Sequence, residues 1–358
     1  MYAFSLRPCT RLAAKMCFAI AAACTFPHHA RAVTIDWVTV GDPGNAADTN
    51  GYGSVATAYR IGKYEVTIQQ YTDFLNAAAK SDPYGLYNPK MATDANVYGI
   101  SRAGSNGSYT YSAITYSGYS PNRPITYVSW FDAARFANWM HNGQGSGSTE
   151  TGAYTLNGAT SGTAPAKNSG AQFYIPTESQ WYKAAYYKGS GTNAGYWDYA
   201  TQSDDAPGNM IDSDANQANY YNGAFAVTQS WEYSMSQNYL TEVGSFTNSQ
   251  SGYGTFDQSG NVAEWNDLTG AAGSSRGLRG GGWDYIQPFF VSASDRLTSD
   301  PSTEDAGLAY YGFRLASPVA VPEPSTWAMG LAGIAYGGWG MWRRRKRAAA
   351  RKLPLTRR

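Results

Sequence analysis

Gly260-Asn-Val-Ala-Glu-Trp265, followed by Arg279-Gly-Gly-Gly-Trp283, is the stretch around which the rest of the sequence is organised. Glycine has no Cβ, so Gly280 to Gly282 let the backbone pass close to a neighbour or a ligand. Arg279, and Arg314 beyond it, suit buried arginines paired with a carboxylate such as Glu264, with direct ligand contact as the other reading. Working outward, three helices announce themselves by capping chemistry, in which a Ser or Thr and the third residue after it satisfy free N–H groups of the first turn. Thr67-Ile-Gln-Gln70 opens the apolar pattern Ile68, Tyr71, Phe74, Leu75; Ser129-Trp-Phe-Asp132 opens Ala133, Phe136, Ala137, Met140; Thr177-Glu-Ser-Gln180 opens Trp181, Ala184, Ala185. Segments 35–40, 59–66 and 311–315 read as short strands. Gly/Ser/Asn/Thr-rich stretches at 101–120, 143–170 and 245–260 read as long surface loops. Few helices and many loops around short strands predict an α+β domain with much irregular structure.

The chain has 358 residues with 27 Lys+Arg and 26 Asp+Glu, but the charges are unevenly placed. Arg7, Arg11, Lys15 and Arg31 near one end, and nine basic residues from Arg343 to Arg358 at the other, have no acidic neighbours within those segments. They leave 14 basic against 25 acidic residues in 33–317, a net of about −11. A body this acidic offers no basic face for phosphates, so a nucleic-acid partner is not expected. The cysteines are Cys9, Cys17 and Cys24, and the histidines outside the same segment reduce to His141. Once that segment is removed, cysteine catalysis, a disulfide framework, a Cys/His zinc site and a two-histidine iron centre are all excluded. His141, near the end of the second helix, suits an interaction with the helix C-terminus better than the role of a base.

A basic n-region, an apolar run from Met16 to Phe26 and Ala30-Arg31-Ala32 mark residues 1–32 as an export signal. At the other end a linker, 318–326, carries Pro322-Glu323-Pro324 and leads into an uncharged apolar span, 327–342, and a basic tail, 343–358. A helix over that span reaches about 24 Å at 1.5 Å per residue, enough for a thin bilayer. The basic cluster stays on the cytoplasmic side, so the prediction is an inner-membrane anchor with body 33–317 outside. The order Pro-Glu-Pro, apolar span, Arg cluster closely resembles the PEP-CTERM sorting tail of Gram-negative bacteria that make exopolysaccharide. That resemblance implies recognition by exosortase, a membrane protease-transpeptidase, and sorting to the outer surface or extracellular matrix.

Six segments in order form a second pattern: Tyr64-Glu65-Val66-Thr67; Pro124 to Trp130 with Asp132-Ala133-Ala134; Tyr174-Ile-Pro-Thr-Glu178 with Trp181; Gly260 to Trp265; Arg279 to Trp283; and Gly312-Phe-Arg314. Together they resemble the formylglycine-generating enzyme, or sulfatase-modifying factor, family. The resemblance implies a C-type-lectin-like fold. It also implies oxidation of a client sulfatase cysteine by copper held on two cysteines just after the Arg-Gly-Gly motif. Those positions fall on Tyr285 and Phe290 in this chain. Cu(I) prefers soft thiolate, so the oxidase activity is not expected. A branch of the family with histidine-bound iron is excluded by the lone His141. Copper, zinc and iron are therefore not expected, whereas calcium is. The family's calcium ligands map onto Asp257, Gly260, Val262 and Glu264, a mixture of carboxylate and carbonyl oxygens suited to a hard cation. A second family site begins at Asn219 and Tyr220, but its later acid falls near Tyr233.

Trp, Tyr and Phe make up 15% of the chain, and exposed rings among Ser/Asn/Gly loops form good stacking surfaces. Trp283, Asp284, Tyr285, Phe289 and Phe290 occupy the segment that carries the active site in the family and are the ligand-binding candidates. They form either an aromatic binding surface or a filled core patch. Asp284 and Asp295 are a possible acid/base pair. The leading expectation is a calcium-stabilised binding or structural protein with exopolysaccharide or surface protein as ligand. The alternatives are an enzyme using carboxylates or tyrosines in the same groove, and last a formylglycine-generating oxidase.

Overall fold

The computed structural model describes residues 32–115, 120–212, 214–305 and 310–319. The expected export signal before Ala32, the Pro-Glu-Pro segment, the apolar span and the basic tail lie outside them. Among the described residues no helix is long and apolar enough to cross a membrane.

Strands β1 (Trp37–Val40) and β2 (Tyr59–Gly62) pair antiparallel, and helices α1 (Ile68–Ala78) and α2 (Lys90–Thr93) follow. A hairpin of β3 (Ile100–Ala103) and β4 (Thr110–Ala113) leads to α3 (Trp130–His141) and α4 (Glu178–Tyr186). After a long irregular stretch come β5 (Ala263–Asn266), β6 (Arg276–Arg279), β7 (Leu297–Ser299), β8 (Tyr311–Gly312) and β9 (Ala316–Pro318). One sheet has the order β1-β2-β9 and another β7-β6-β5-β8, in which β5 and β8 run parallel.

The three capping boxes form where the sequence places them. Thr67, Ser129 and Thr177 accept the N–H of Gln70, Asp132 and Gln180, whose side chains reach back to the caps. Helix α3 is buried along almost its whole length, and Phe136 packs against Phe74, Trp139 and Phe313 at centroid distances of 5.4 to 5.7 Å. Arg135 on this buried helix is neutralised by Glu150 at 2.8 Å.

Residues 101–120 depart from the expected loop, because β3 and β4 form a hairpin within them. Its anchor is Asn76 of α1, whose amide donates to Tyr111 O at 2.8 Å and accepts the Tyr111 N–H at 2.9 Å. The Tyr111 hydroxyl reaches Ala79 O at 2.8 Å, so a buried tyrosine organises a stretch whose composition reads as loop.

Two glycines show why the quoted stretch needs them. Gly260 has φ +95°, and a Cβ there would lie 2.3 Å from Asn219 O. Gly281 has φ +67°, and a Cβ would lie 2.4 Å from Phe290 O. Both positions combine a left-handed backbone with contact too close for any other residue.

Candidate functional site

Beneath the quoted stretch lies a charged framework. Arg314 is fully buried and grips Glu264 with two hydrogen bonds of 2.6 Å. It also donates to Gly62 O at 3.1 Å and Phe256 O at 2.8 Å. Trp181 donates its indole N–H to Glu264 at 2.8 Å. Of the two arginines expected to pair with a carboxylate such as Glu264, Arg314 takes Glu264 and Arg279 takes Glu178, at 2.9 Å. Arg279 also lies against the Tyr52 and Tyr182 rings at 4.7 and 4.9 Å, and Arg296 adds a second cation to Glu178 at 2.7 Å. A cleft of about 300 Å³ opens beside Tyr52, Glu178, Ser179 and Thr269, but its carboxylate is already spent on two arginines.

Glu65 and Asp257 lie within electrostatic reach of Glu264 and Arg314. Burial pushes both carboxyls up, Asp257 to about 6. Glu65 Oε2 is buried without a hydrogen-bond partner. Asp257 accepts the Gly244 N–H at 2.6 Å, while the Gly260 N–H donates to Gly280 O at 2.7 Å. Val262 is buried against Gly312. Asn219 receives the Asn261 N–H on its carbonyl at 2.8 Å and donates its amide to Tyr239 O at 3.0 Å. Tyr220 is buried, with its hydroxyl on Pro207 O. Among the described residues no group of three or more His, Cys, Asp or Glu is arranged to hold a metal ion.

The ligand-binding candidates separate by depth. Trp283 is only 2% exposed and stacks on Tyr239 at 4.6 Å and Tyr310 at 5.7 Å. Tyr239 in turn stacks on Tyr233 at 5.9 Å, so four rings form a column that ends at Tyr233, 53% exposed. Phe225 packs against the side of this column, 5.9 Å from Trp283. Tyr285 and Phe290 touch edge to face at 5.5 Å, and Phe289, 52% exposed, lies 5.7 Å from Phe290.

Asp284 sits between these two ring groups in sequence, and both its carboxylate oxygens are buried with no side-chain hydrogen-bond partner. Burial pushes its carboxyl up to about 7. Its charge is felt by Tyr285, Tyr233 and Tyr310, and Asp94 acts on Tyr233 and Tyr310 as well. The Trp283 indole N–H is likewise buried without a partner. No hydrogen bond joins Asp284 to Asp295, which lies under the influence of Arg279. His141 accepts the Gln172 N–H on Nδ1 at 3.0 Å, at the end of α3.

A carboxyl raised on folding binds more protons in the native than in the unfolded state between pH 4 and 7, so its ionisation lowers stability as pH rises through that window. Asp284→Asn removes the charge and keeps the shape. It is expected to be near neutral at pH 4 and to stabilise the protein at pH 8 by roughly 2–4 kcal/mol. Urea unfolding at the two pH values checks this, and equal effects at both would contradict it.

Five further exposed apolar residues had no reading in the sequence: Met210, Ile211, Trp231, Met235 and Ile286. Trp231 and Met235 are 72% and 82% exposed. One signal was available, since residues 189–275 contain ten Asp or Glu and no Lys, Arg or His, and Trp231-Glu-Tyr-Ser-Met235 alternates large apolar with polar residues inside that run.

Two comparisons with solved structures give distant likenesses. The crystal structure of CarF has 20% identity and a TM-score of 0.45, covering 80% of this chain and 99% of that one. Treponema denticola variable protein 1 has 18% identity and a TM-score of 0.44, covering 81% and 97%. No curated protein sequence matches significantly. A family model for the PEP-CTERM protein-sorting motif matches residues 320–346, the address read by exosortase-type sorting machinery for export to the cell surface. A second model, described as the sulfatase-modifying factor enzyme 1-like domain, matches residues 44–319, which span the capping helices, the Glu264–Arg314 framework and the ring column. The chain belongs to the sulfatase-modifying factor enzyme 1-like domain family.

Proposed function

We propose that this domain is a binding protein of the cell surface, which keeps the family's framework and uses the site beside Trp283 for ligand instead of oxidation. The observation that carries this reading is the pairing of Tyr285 with Phe290, the two positions onto which the family's copper cysteines map. A phenol and a phenyl give Cu(I) no thiolate, so the donor set does not fit copper. The two rings touch edge to face, and the separate ring column reaches the surface at Tyr233. Large half-exposed aromatic side chains supply contact area at low entropic cost, which suits a ligand such as a surface glycan or a matrix protein.

The test is binding of the exported protein to extracted exopolysaccharide and to surface proteins, with Phe289→Ala and Tyr233→Ala as site variants. Saturable binding lost in both variants, with thermal unfolding unchanged, supports the reading. Binding that survives both variants removes it from this site.

Calcium is part of the same proposal. Glu65, Asp257 and Glu264 against Arg314 leave a buried net charge of −2 when all are ionised, and Glu65 Oε2, 3.8 Å from Arg314, accepts no hydrogen bond. A calcium ion would be held by Asp257 and by Glu264 shared with Arg314, together with the Gly260 and Val262 carbonyls, and would offset that charge. Asn219 and Tyr220 would serve the second site, which lacks an acid at Tyr233. At pH 7.5, calcium at a hundred times its dissociation constant is expected to add about 2.7 kcal/mol of stability. Equal unfolding midpoints in calcium and in chelator would refute it.

One observation favours a second reading. A buried carboxyl raised to about 7 and with no side-chain hydrogen-bond partner, as at Asp284, is suited to proton transfer, so a carboxylate enzyme in this groove is the alternative. Turnover of a peptide or sugar substrate, abolished by Asp284→Asn, would establish it over simple binding.

A further inference from the structure

Among the described residues, eight large hydrophobic side chains are exposed, and seven of them lie on three loops. Met210 and Ile211 occupy the first, Trp231, Tyr233 and Met235 the second, and Ile286 and Phe289 the third. The loops are stitched together. The Asn209 amide donates to Ala224 O at 2.6 Å, the Gln229 amide donates to Asn209 O at 3.0 Å, and the Tyr221 N–H donates to Tyr285 O at 3.1 Å. Apolar side chains scattered singly over a surface need no explanation, but a concentration of this kind marks an interaction face.

The charge carried by these loops has one sign. Asp212, Asp214 and Glu232 supply it with no basic residue among them, whereas other acids of the base-free run 189–275 are spent elsewhere, Glu264 on Arg314, Asp267 on Arg276 and Asp204 on Lys188. At the Tyr310 end of the column, Tyr127 meets Tyr310 edge to face at 5.7 Å, and Lys90 over the Tyr127 ring is held to Asp305 at 3.7 Å. An anionic polysaccharide would be repelled here, and like charges set against each other suppress a wrong partner. A neutral glycan would be met by flat rings ringed with hydrogen-bond donors. Here four of the seven exposed side chains are Met or Ile, which have no flat face. Flexible Met and aliphatic chains adapt to the side chains of another polypeptide.

The geometry points to a docking face, made by loops 207–212, 221–235 and 285–290, for a basic polypeptide segment that carries apolar side chains between its Lys or Arg residues. This deepens the surface-binding reading and rests on it. The apolar side chains of the partner cover Trp231, Met235 and Phe289, while its cations face Glu232, Asp212 and Asp214. The contact is selected by charge and shape and needs no cysteine in the partner.

The test uses the full-length chain in phosphatidylcholine nanodiscs, with empty nanodiscs as reference. The probes are a fluorescein-labelled, cysteine-free peptide of alternating Lys, Val and Ser, its Glu-for-Lys counterpart, neutral dextran and alginate. The basic peptide is expected to bind saturably, at least about tenfold more tightly than the acidic one, and more weakly as salt is raised. Trp231→Ala combined with Met235→Ala should weaken it by about tenfold or more, with the unfolding midpoint unchanged because both side chains are exposed. Glu232→Lys should weaken it as well. Equal binding of the two peptides, or full binding by the double variant, overturns the inference. Binding of dextran or alginate that the double variant abolishes, without peptide binding, also overturns it but leaves the surface-binding reading standing. Binding of no probe counts against both.

Discussion

Arg314→Ala is expected to lower stability by about 3–5 kcal/mol, the cost of leaving a buried charge without its partner. Arg314 makes two hydrogen bonds to Glu264 and further bonds to the carbonyls of Gly62 and Phe256, all inside the protein. Without it, Glu264 keeps only the Trp181 N–H, and Glu65 and Asp257 lose the cation that faces them. For a domain of this size the loss corresponds to a fall of roughly 10 °C in melting temperature, at about 2–4 °C per kcal/mol. Arg314→Lys should recover little, because one ammonium cannot span a bidentate carboxylate and two carbonyls. Thermal unfolding of both variants decides the matter: a fall below about 2 °C for Arg314→Ala would show that the framework is not what holds these strands together.

Trp283→Ala should be nearly as damaging, at about 3–5 kcal/mol for a large aromatic side chain removed from a core. Three stacked or tilted neighbours, Tyr239, Tyr310 and Phe225, would face the cavity. The contrast with Trp231→Ala is informative. Trp231 projects into solvent, so its removal should change stability by no more than about 0.5 kcal/mol. Chemical unfolding of the pair therefore separates the buried part of the aromatic site from the part available to ligand. If Trp283→Ala unfolds like the parent protein, the ring column is loosely packed and the depth assigned to Trp283 is wrong.

Local chemistry was the most legible part of the sequence. A capping box needs two residues three apart, and all three boxes read at Thr67, Ser129 and Thr177 form at those positions. That Arg314 would be buried against a carboxylate such as Glu264 was also readable, since a buried arginine demands a counter-charge. Partner choice for Arg279 was not, because Glu178 is brought to it by α4, far away in sequence. The β3–β4 hairpin escaped for a similar reason: its stability comes from Asn76 and Ala79 on α1 acting on Tyr111, and not from the Ser/Gly-rich residues themselves. Within the candidate site, the sequence placed Trp283 to Phe290 together, but the depth of each ring depends on Tyr239, Tyr310 and Phe225, which come from distant loops.

The sheet β1-β2-β9 carries a mechanical implication. β9 ends at Pro318, directly before the sorting motif, and its pairing with β2 is reinforced by Arg60, which donates to Ser317 Oγ at 2.8 Å and to Pro318 O at 3.3 Å. Tyr174 and Ala316 exchange backbone hydrogen bonds of 3.0 and 2.7 Å on the same strand. Were the segment beyond Pro318 to anchor the protein, a pull on it would be carried into a sheet that joins the first and last strands of the described domain. Tension between such an anchor and a ligand held at the ring column would load the fold through its closure, instead of peeling away a loose end.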